Sequence, residues 1–375
     1  MRVLHVTDAY LPRLGGIEMH VHDLARAQAA AGDEVDIITM TRGRGAIDAP
    51  GSAMVIRPVD DDGVLDKWRF LLRNRTYGID RGYDVVHAHC STVSLLSFFT
   101  FGTNGVPRLM TVHSLWRRYT PLYTGFDYSL NWSSWPVRWS AVSEVAADGV
   151  RRAARGPLDV AVCPNGIDLD LWTPAERVSE PDHLRIIAVM RLATRKRPMT
   201  LLRILRSVRE RVPSHIRVSA TILGEGPSRP QMERYLERHD MRSWVQLPGH
   251  LPRSEVKHAM ASSDVFVAPA VLESFGIAAL EAHAAGLPVV GRRGTGLSDF
   301  IRDGEGGVLV GSDREMAAVL ARMATDRTHE SVPRSSSLAQ FSWPAVVERH
   351  RELYAEAGAA SRRSNVRRAQ SRRAS

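Results

Sequence analysis

The chain has 375 residues, 44% of them hydrophobic and 24% charged, which suits two globular domains of ordinary size and excludes a disordered protein. Two cysteines, Cys90 and Cys163, exclude a disulfide framework and a Cys/His zinc pattern, and they fit a reducing cytoplasm. The net charge is +9, but six arginines among the last fifteen residues supply most of it, so the rest of the chain is only mildly basic.

The opening apolar stretch stops at Asp8, too early for a signal peptide, and the most apolar internal run, 93–101, falls well short of the ~20 residues a membrane span needs. Short β-rich runs then alternate with amphipathic helical stretches, the pattern of parallel α/β sheets. The first half predicts strands over 2–7, 34–40, 84–89, 107–113, 140–143 and 160–163, with helices over 17–31, 64–75 and 144–155. Turn chemistry at 164–174 and a polar linker at 175–183 follow. The pattern restarts with strands over 184–190, 216–223, 265–268, 289–290 and 308–310, and helices over 198–211, 229–239, 253–261, 276–285 and 313–324. The expected organisation is two Rossmann-like, doubly wound domains, 1–168 and 184–342, and a final helical segment, 343–358. The basic tail, 361–375, repeats Arg pairs every five residues, which gives no single helical face, and is read as disordered. It is a solubilising extension or a weak, non-specific contact for anionic lipid or nucleic acid; no specific nucleic-acid partner is expected.

In doubly wound domains ligands bind beyond the carboxyl ends of the strands. Four segments fall there. Gly15 and Gly16 sit at a strand–helix turn, where bare backbone approaches a phosphate closely or simply makes a tight turn. Arg191, Arg195, Lys196 and Arg197 lie between a strand and a helix, where a pyrophosphate needs charge neutralisation, or else form a solvated basic loop. Glu273 stands in the loop after the strand 265–268, and Glu281 sits about one and a half turns into the next helix, behind the backbone of Phe275 and Gly276. Carboxylates so placed grip sugar hydroxyls; the structural alternative is Glu273 as a helix cap and Glu281 on a wet face. His113 ends the strand 107–113, placed to meet a substrate hydroxyl or to serve structure alone.

Two further segments are weighed. Asp60, Asp61 and Asp62 could suggest a metal-binding Asp-x-Asp, but Gly63 and the helical pattern after it favour capping and a turn. Half of the eight tryptophans lie in 116–139 among Arg and Tyr, which suits a membrane-headgroup or sugar-stacking wall, or a satellite core. Pro121, Gly125 and Pro136 argue against one long amphipathic helix there.

Together these residues resemble the retaining GT-B glycosyltransferases of family four (glycosyl transferases group 1), from Met1 to about Tyr354. The match is carried by Glu273 and Glu281, the Arg191/Lys196 pair, the Gly15-Gly16 turn and the segment 164–168, all in the family's order. The resemblance implies that Arg191 and Lys196 bind the donor diphosphate with the Gly16 backbone, while Glu281 holds the ribose. It further implies that Glu273, Phe275 and Gly276 hold the donor sugar, that His113 contacts it near the reacting carbon, and that the backbone at 249–251, with Leu251, faces the base. It implies same-face transfer with retention from a UDP- or GDP-linked sugar, no cofactor, no bound metal, and a last helix bracing the first domain. The acceptor is left open among sugar, lipid and natural product. The expected location is the cytoplasm, with an anionic membrane surface as a candidate contact.

The chain departs from the family pattern with Arg197 in place of Gly, His283 in place of Met and Ser298-Asp299 in place of Pro-Glu. Arg197 is expected to add charge near the diphosphate, and the last departure leaves the donor open. The alternatives are a nucleotide-sugar epimerase or phosphorylase on a similar frame and a non-catalytic sugar-nucleotide or membrane-binding protein. A pyridoxal-phosphate phosphorylase needs a Schiff-base lysine, and only Lys67, Lys196 and Lys257 are present.

Overall fold

The computed structural model describes residues 1–13, 15–42, 54–57, 82–89, 106–117, 119–174, 180, 182–326 and 336–374, with backbone alone for 336 and 362–374. The predicted helix 64–75, the triple aspartate and Cys90 lie outside the described residues. The chain divides into two compact units, Met1–Gly166 with Phe341–Ser375, and Ile167–Gln340.

The first unit holds a parallel seven-stranded sheet in the order β3-β2-β1-β4-β5-β6-β7. Its strands are β1 (Arg2–Thr7), β2 (Glu34–Thr39), β3 (Val55–Ile56), β4 (Val85–Ala88), β5 (Arg108–Val112), β6 (Arg138–Ala141) and β7 (Val160–Val162). Residues of β4 and β5 are buried throughout, as in a sheet covered on both faces. Helices α1 (Gly16–Ala30), α2 (Thr120–Leu130), α3 (Glu144–Ala153) and α9 (Trp343–Ala374) belong to this unit. Ser143 caps α3 by accepting the Ala146 N–H. Trp343, at the start of α9, lies so close to Gly166 that a Cβ there would fall 2.5 Å from the indole ring. The helix runs on through Ala374, into the Arg-rich stretch expected to be disordered; Arg, Ala and Gln are good helix formers, and no Pro or Gly interrupts the ladder there.

The tryptophan-rich segment folds as a satellite core. Trp116, Trp132 and Trp139 are buried; Trp116 stacks on Tyr123 at 3.9 Å, and Trp132 meets both other indoles edge-on. Pro121 sits in the first turn of α2, where it costs no hydrogen bond, so a helix of eleven residues forms. Tyr119, Leu122 and Tyr128 remain exposed.

The second unit repeats the architecture, with all strands parallel in the order β10-β9-β8-β11-β12-β14-β13. Its strands are β8 (His183–Val189), β9 (Arg217–Leu223), β10 (Val245–Gly249), β11 (Val265–Ala268), β12 (Val289–Arg292), β13 (Arg302–Asp303) and β14 (Gly306–Val310). Its helices are α4 (Pro198–Arg211), α5 (Arg229–Arg238), α6 (Arg253–Ala261), α7 (Ile277–Ala284) and α8 (Asp313–Asp326). One apolar core joins the sheet to α4, α5 and α8 through Leu201, Leu205, Met232, Val265, Val290 and Leu320. No described helix is long and apolar enough to cross a membrane.

Candidate functional site

Parallel strands bring their carboxyl ends to one edge of the second unit, and the predicted residues follow that edge in sheet order. Gly249 ends β10, and the half-buried Leu251 lies just beyond it. Beyond β9 is a loop unmarked in the sequence analysis, Gly224-Glu225-Gly226, which packs backbone to backbone on the loop after β8. The Leu192 N–H donates to the Glu225 carbonyl at 2.8 Å, and the Gly224 N–H donates to the Gly249 carbonyl at 2.7 Å. A side chain at Gly224 is excluded twice over, by φ of +124° and by a Met190 carbonyl 2.0 Å from an ideal Cβ. Two glycines just after a strand are the signal that could have found it, by the reasoning used for Gly15 and Gly16.

Beyond β8, Arg191 is exposed and has no side-chain hydrogen bond or ion pair among the described residues. Lys196 closes a short 3₁₀ turn and donates from Nζ to Glu273 Oε2 at 2.5 Å, joining the loops after β8 and β11. Arg197, expected to add charge near the diphosphate, is engaged in an ion pair. Its guanidinium forks onto Asp313 at 2.8 and 2.7 Å and donates to the Pro269 carbonyl at 3.1 Å. The pair holds the Asp313 carboxyl below its usual pKa, chiefly through the Arg197 hydrogen bond. Arg197 is thus a brace between the loop after β11 and the start of α8. Its backbone adopts the left-handed region (φ 60°), which explains why glycine is the expected residue.

Glu273 does not cap α7; the cap is Gly276, left-handed at φ 93°, with no side-chain cap bond. The Glu273 carbonyl accepts the Gly296 N–H at 2.9 Å, tying this loop to the turn that contains Ser298 and Asp299. The Phe275 ring is buried against Phe300 at 5.5 Å. Glu281 is buried at 8% exposure, which removes the wet-face alternative. His283, two residues on, is buried with Nδ1 unpartnered among the described residues and packs where a Cβ on Gly306 would stand.

At the strand ends of the first unit, α1 starts at Gly16, and the Glu18 carboxylate lies over Gly15, salt-bridged to Arg13 at 3.0 Å. His113 follows β5 at 9% exposure. Behind it lies a buried polar network that the sequence pattern does not announce. His113 Nε2 meets His89 Nδ1 at 2.9 Å, His89 Nε2 meets His5 Nδ1 at 2.9 Å, and His5 Nε2 meets Gln28 Oε1 at 2.7 Å. The Gln28 amide donates to the Tyr354 hydroxyl at 2.9 Å, which contacts His87 Nδ1 at 2.9 Å; His87 Nε2 contacts Thr111 Oγ1 at 2.7 Å. His20 and His350 pack alongside. Burial lowers every one of these histidines, His5 and His350 to about 4 and His113 to about 3, so all are neutral near pH 7. Ring nitrogens of His5, His87 and His89 lie within 4.8 Å of one another, a spacing that could hold a metal ion, but each is already in a hydrogen bond. Cys163 is buried beside His350, and burial pushes its thiol up to about 12, which leaves it unreactive.

Two family models match the chain, glycosyl transferases group 1 over residues 174–335 and Glycosyltransferase Family 4 over residues 14–171. The chain belongs to the family 4 glycosyltransferases. It is 28% identical to the Paenarthrobacter aurescens D-inositol 3-phosphate glycosyltransferase, covering 92% of this chain and 93% of that one. It is 26% identical to a subunit of the phosphatidylinositol N-acetylglucosaminyltransferase of Arabidopsis thaliana, covering 97% and 84%. The fold matches Anabaena HepE, solved with UDP and glucose, at a TM-score of 0.74, with 16% identity and coverage of 95% and 100%. It matches the Thermosynechococcus elongatus sucrose-phosphate synthase at 0.74, with 18% identity and coverage of 96% and 100%. The fold is GT-B and the family's activity is glycosyl transfer; nothing in these matches points to an epimerase.

Proposed function

We propose that this glycosyltransferase moves a sugar from a UDP- or GDP-linked donor to an acceptor hydroxyl with the α-configuration kept, and needs no bound metal or cofactor. The Arg191–Lys196–Glu273 arrangement carries this reading. It sets an exposed guanidinium, without a partner among the described residues, next in the chain to a Lys–Glu pair that joins the ends of adjacent strands β8 and β11. A departing diphosphate needs positive charge; Arg191 offers a two-pronged donor, and Lys196 a point charge that can turn from Glu273 to phosphate. Glu273, so released, accepts hydrogen bonds from donor-sugar hydroxyls beside Phe275 and Gly276, and Glu281 takes the ribose. The segment 249–251, with Leu251, lies toward the base. The Gly15-Gly16 turn adds backbone N–H groups to the diphosphate, which requires the Glu18 carboxylate to swing off Gly15. His113 contacts the donor sugar.

The charge supplied by Arg191, Lys196 and the α7 amino terminus does the work a divalent ion does elsewhere. HepE was crystallised with UDP, which puts UDP-sugars first in a donor panel. Two relatives are named for phosphatidylinositol and inositol 3-phosphate, which puts inositol-type alcohols first among acceptors. A cytoplasmic location fits the reading, and exposed Tyr119, Leu122 and Tyr128 of the first unit are its candidate contact with an anionic membrane surface. The test is a thermal-shift panel of UDP-, GDP- and dTDP-sugars, since a ligand of the native state raises Tm. At least one is expected to raise it, and to lose that effect in Arg191→Ala. A panel without any shift overturns the donor assignment.

A further inference from the structure

The buried network of the first unit has a direction. A neutral imidazole carries one N–H and one bare nitrogen, so in an unbroken chain of neutral histidines every donor points the same way. Either the whole chain runs outward from Gln28 or the whole chain runs inward to it.

Two features choose the inward sense. Gln28 turns Oε1 to His5 and its amide to Tyr354. At the far end the Thr111 hydroxyl contacts Ser140 Oγ at 2.7 Å, and Ser140 Oγ reaches the Met110 carbonyl at 3.5 Å, an atom that can only accept. With Ser140 donating to Met110, Thr111 donates to Ser140, His87 Nε2–H donates to Thr111, and Tyr354 O–H donates to His87 Nδ1. Tyr354 then accepts from the Gln28 amide, which leaves Oε1 to accept from His5 Nε2–H. His5 Nδ1 accepts from His89 Nε2–H, and His89 Nδ1 accepts from His113 Nε2–H.

We propose that Gln28, His5 and His89 are positioning residues that hold His113 as its Nε2–H tautomer, so that the bare Nδ1 is what His113 offers to a ligand. That nitrogen has no hydrogen-bond partner among the described residues. His113 therefore takes a hydrogen bond from a ligand alcohol and gives it none. It selects a sugar hydroxyl and disfavours a phosphate or carboxylate oxygen, which brings no hydrogen. The inference rests on the proposed sugar-facing role of His113, but the tautomer can be read without any activity.

The experiment is two-bond ¹H–¹⁵N correlation of the imidazoles in the full-length protein labelled with ¹⁵N-histidine, at pH 7. The expected result is Nε2–H for His113, His89, His5 and His87 alike. Nδ1–H in His113, a mixture of tautomers along the chain, or a stoichiometric metal ion in the purified protein each overturns the proposal. Gln28→Met removes the common source of direction at similar volume, and Tyr354→Phe removes one hydroxyl from the same junction; neither residue bonds to His113. Both variants are expected to give a tautomer mixture at His113, a roughly tenfold fall in kcat and an unchanged donor KM. A single Nε2–H form in both variants overturns the relay. Transfer that survives His113→Phe undamaged, with the tautomers as stated, instead removes the sugar-facing role and leaves the relay standing.

Discussion

The two units place polar chemistry at the same topological position and treat it in opposite ways. In the second unit the strand-end groups are charged, partly exposed and paired across loops: Lys196 with Glu273, and Arg197 with Asp313. In the first unit they are neutral, sealed from water and joined in a continuous hydrogen-bond chain from His113 to Thr111. Partly exposed ion pairs re-form readily, which suits the proposed release of charge to an arriving diphosphate. A dry network is costly to break at any one point, which suits a residue that must keep one orientation and one proton. The same fold thus supplies an adaptable half and a fixed half.

Acid should separate the halves with the largest effect. A histidine whose pKa is about 4 when folded and 6.5 when unfolded binds fewer protons folded, so stability is full above pH 6.5 and declines as pH falls toward 4. For His5 alone the loss totals about 3 kcal/mol, and its neighbours are lowered likewise. Asp313 loses its contribution only below its ordinary carboxyl range. Urea midpoints measured from pH 8 to pH 4.5 should fall much further for the first unit than for the second, where burial lowers His283 alone among the described histidines; a flat profile in both would mean the network hydrates and protonates freely.

Arg191→Ala comes next. Losing a preformed donor to the leaving diphosphate should cost about 10²–10³ in kcat, or ~3–4 kcal/mol, while Tm stays within a degree of the parent, because no described residue bonds to that side chain. Glu281→Ala should also abolish transfer; wild-type rates in both variants would dismantle the site. Arg197→Gly is the smallest effect. It removes an ion pair worth up to ~1 kcal/mol and relieves a left-handed non-glycine residue costing ~1–2 kcal/mol. Stability should therefore change little or rise slightly, and donor KM should move less than about twofold if Arg197 stands clear of the diphosphate. A tenfold rise in KM would put Arg197 in the donor site after all.

Where elements were read too short or missed, the reason is mostly the sheet edge. β3, β10 and β13 are all edge strands, and β10 carries Pro248 and Gly249, residues that a central strand does not tolerate. The bounds of β1 and β11, both inside their sheets, were legible to the residue, because burial on two faces gives a short continuous apolar run. Helix α2 was obscured by Pro121, whose first-turn position is harmless but whose presence reads as a break.

The sequence by itself determined the architecture and the chemical types near the strand ends: Arg191, Lys196 and Glu273 follow strands, and Glu281 lies inside the next helix. Tertiary structure alone decided which of those charges are committed. Lys196 and Glu273 stand 77 positions apart, and Arg197 and Asp313 stand 116 apart, so no local pattern reveals that one cation pairs with Glu273 while its neighbour braces a helix. It alone also assembled the histidine relay, from β1, β4, β5, α1 and α9. His5 and His113 each stand alone in their strand segments, and His87 and His89 share one, with nothing local to link the three segments. Their shared meaning exists only where parallel register sets His5 beside His87 and the last helix returns to close the network.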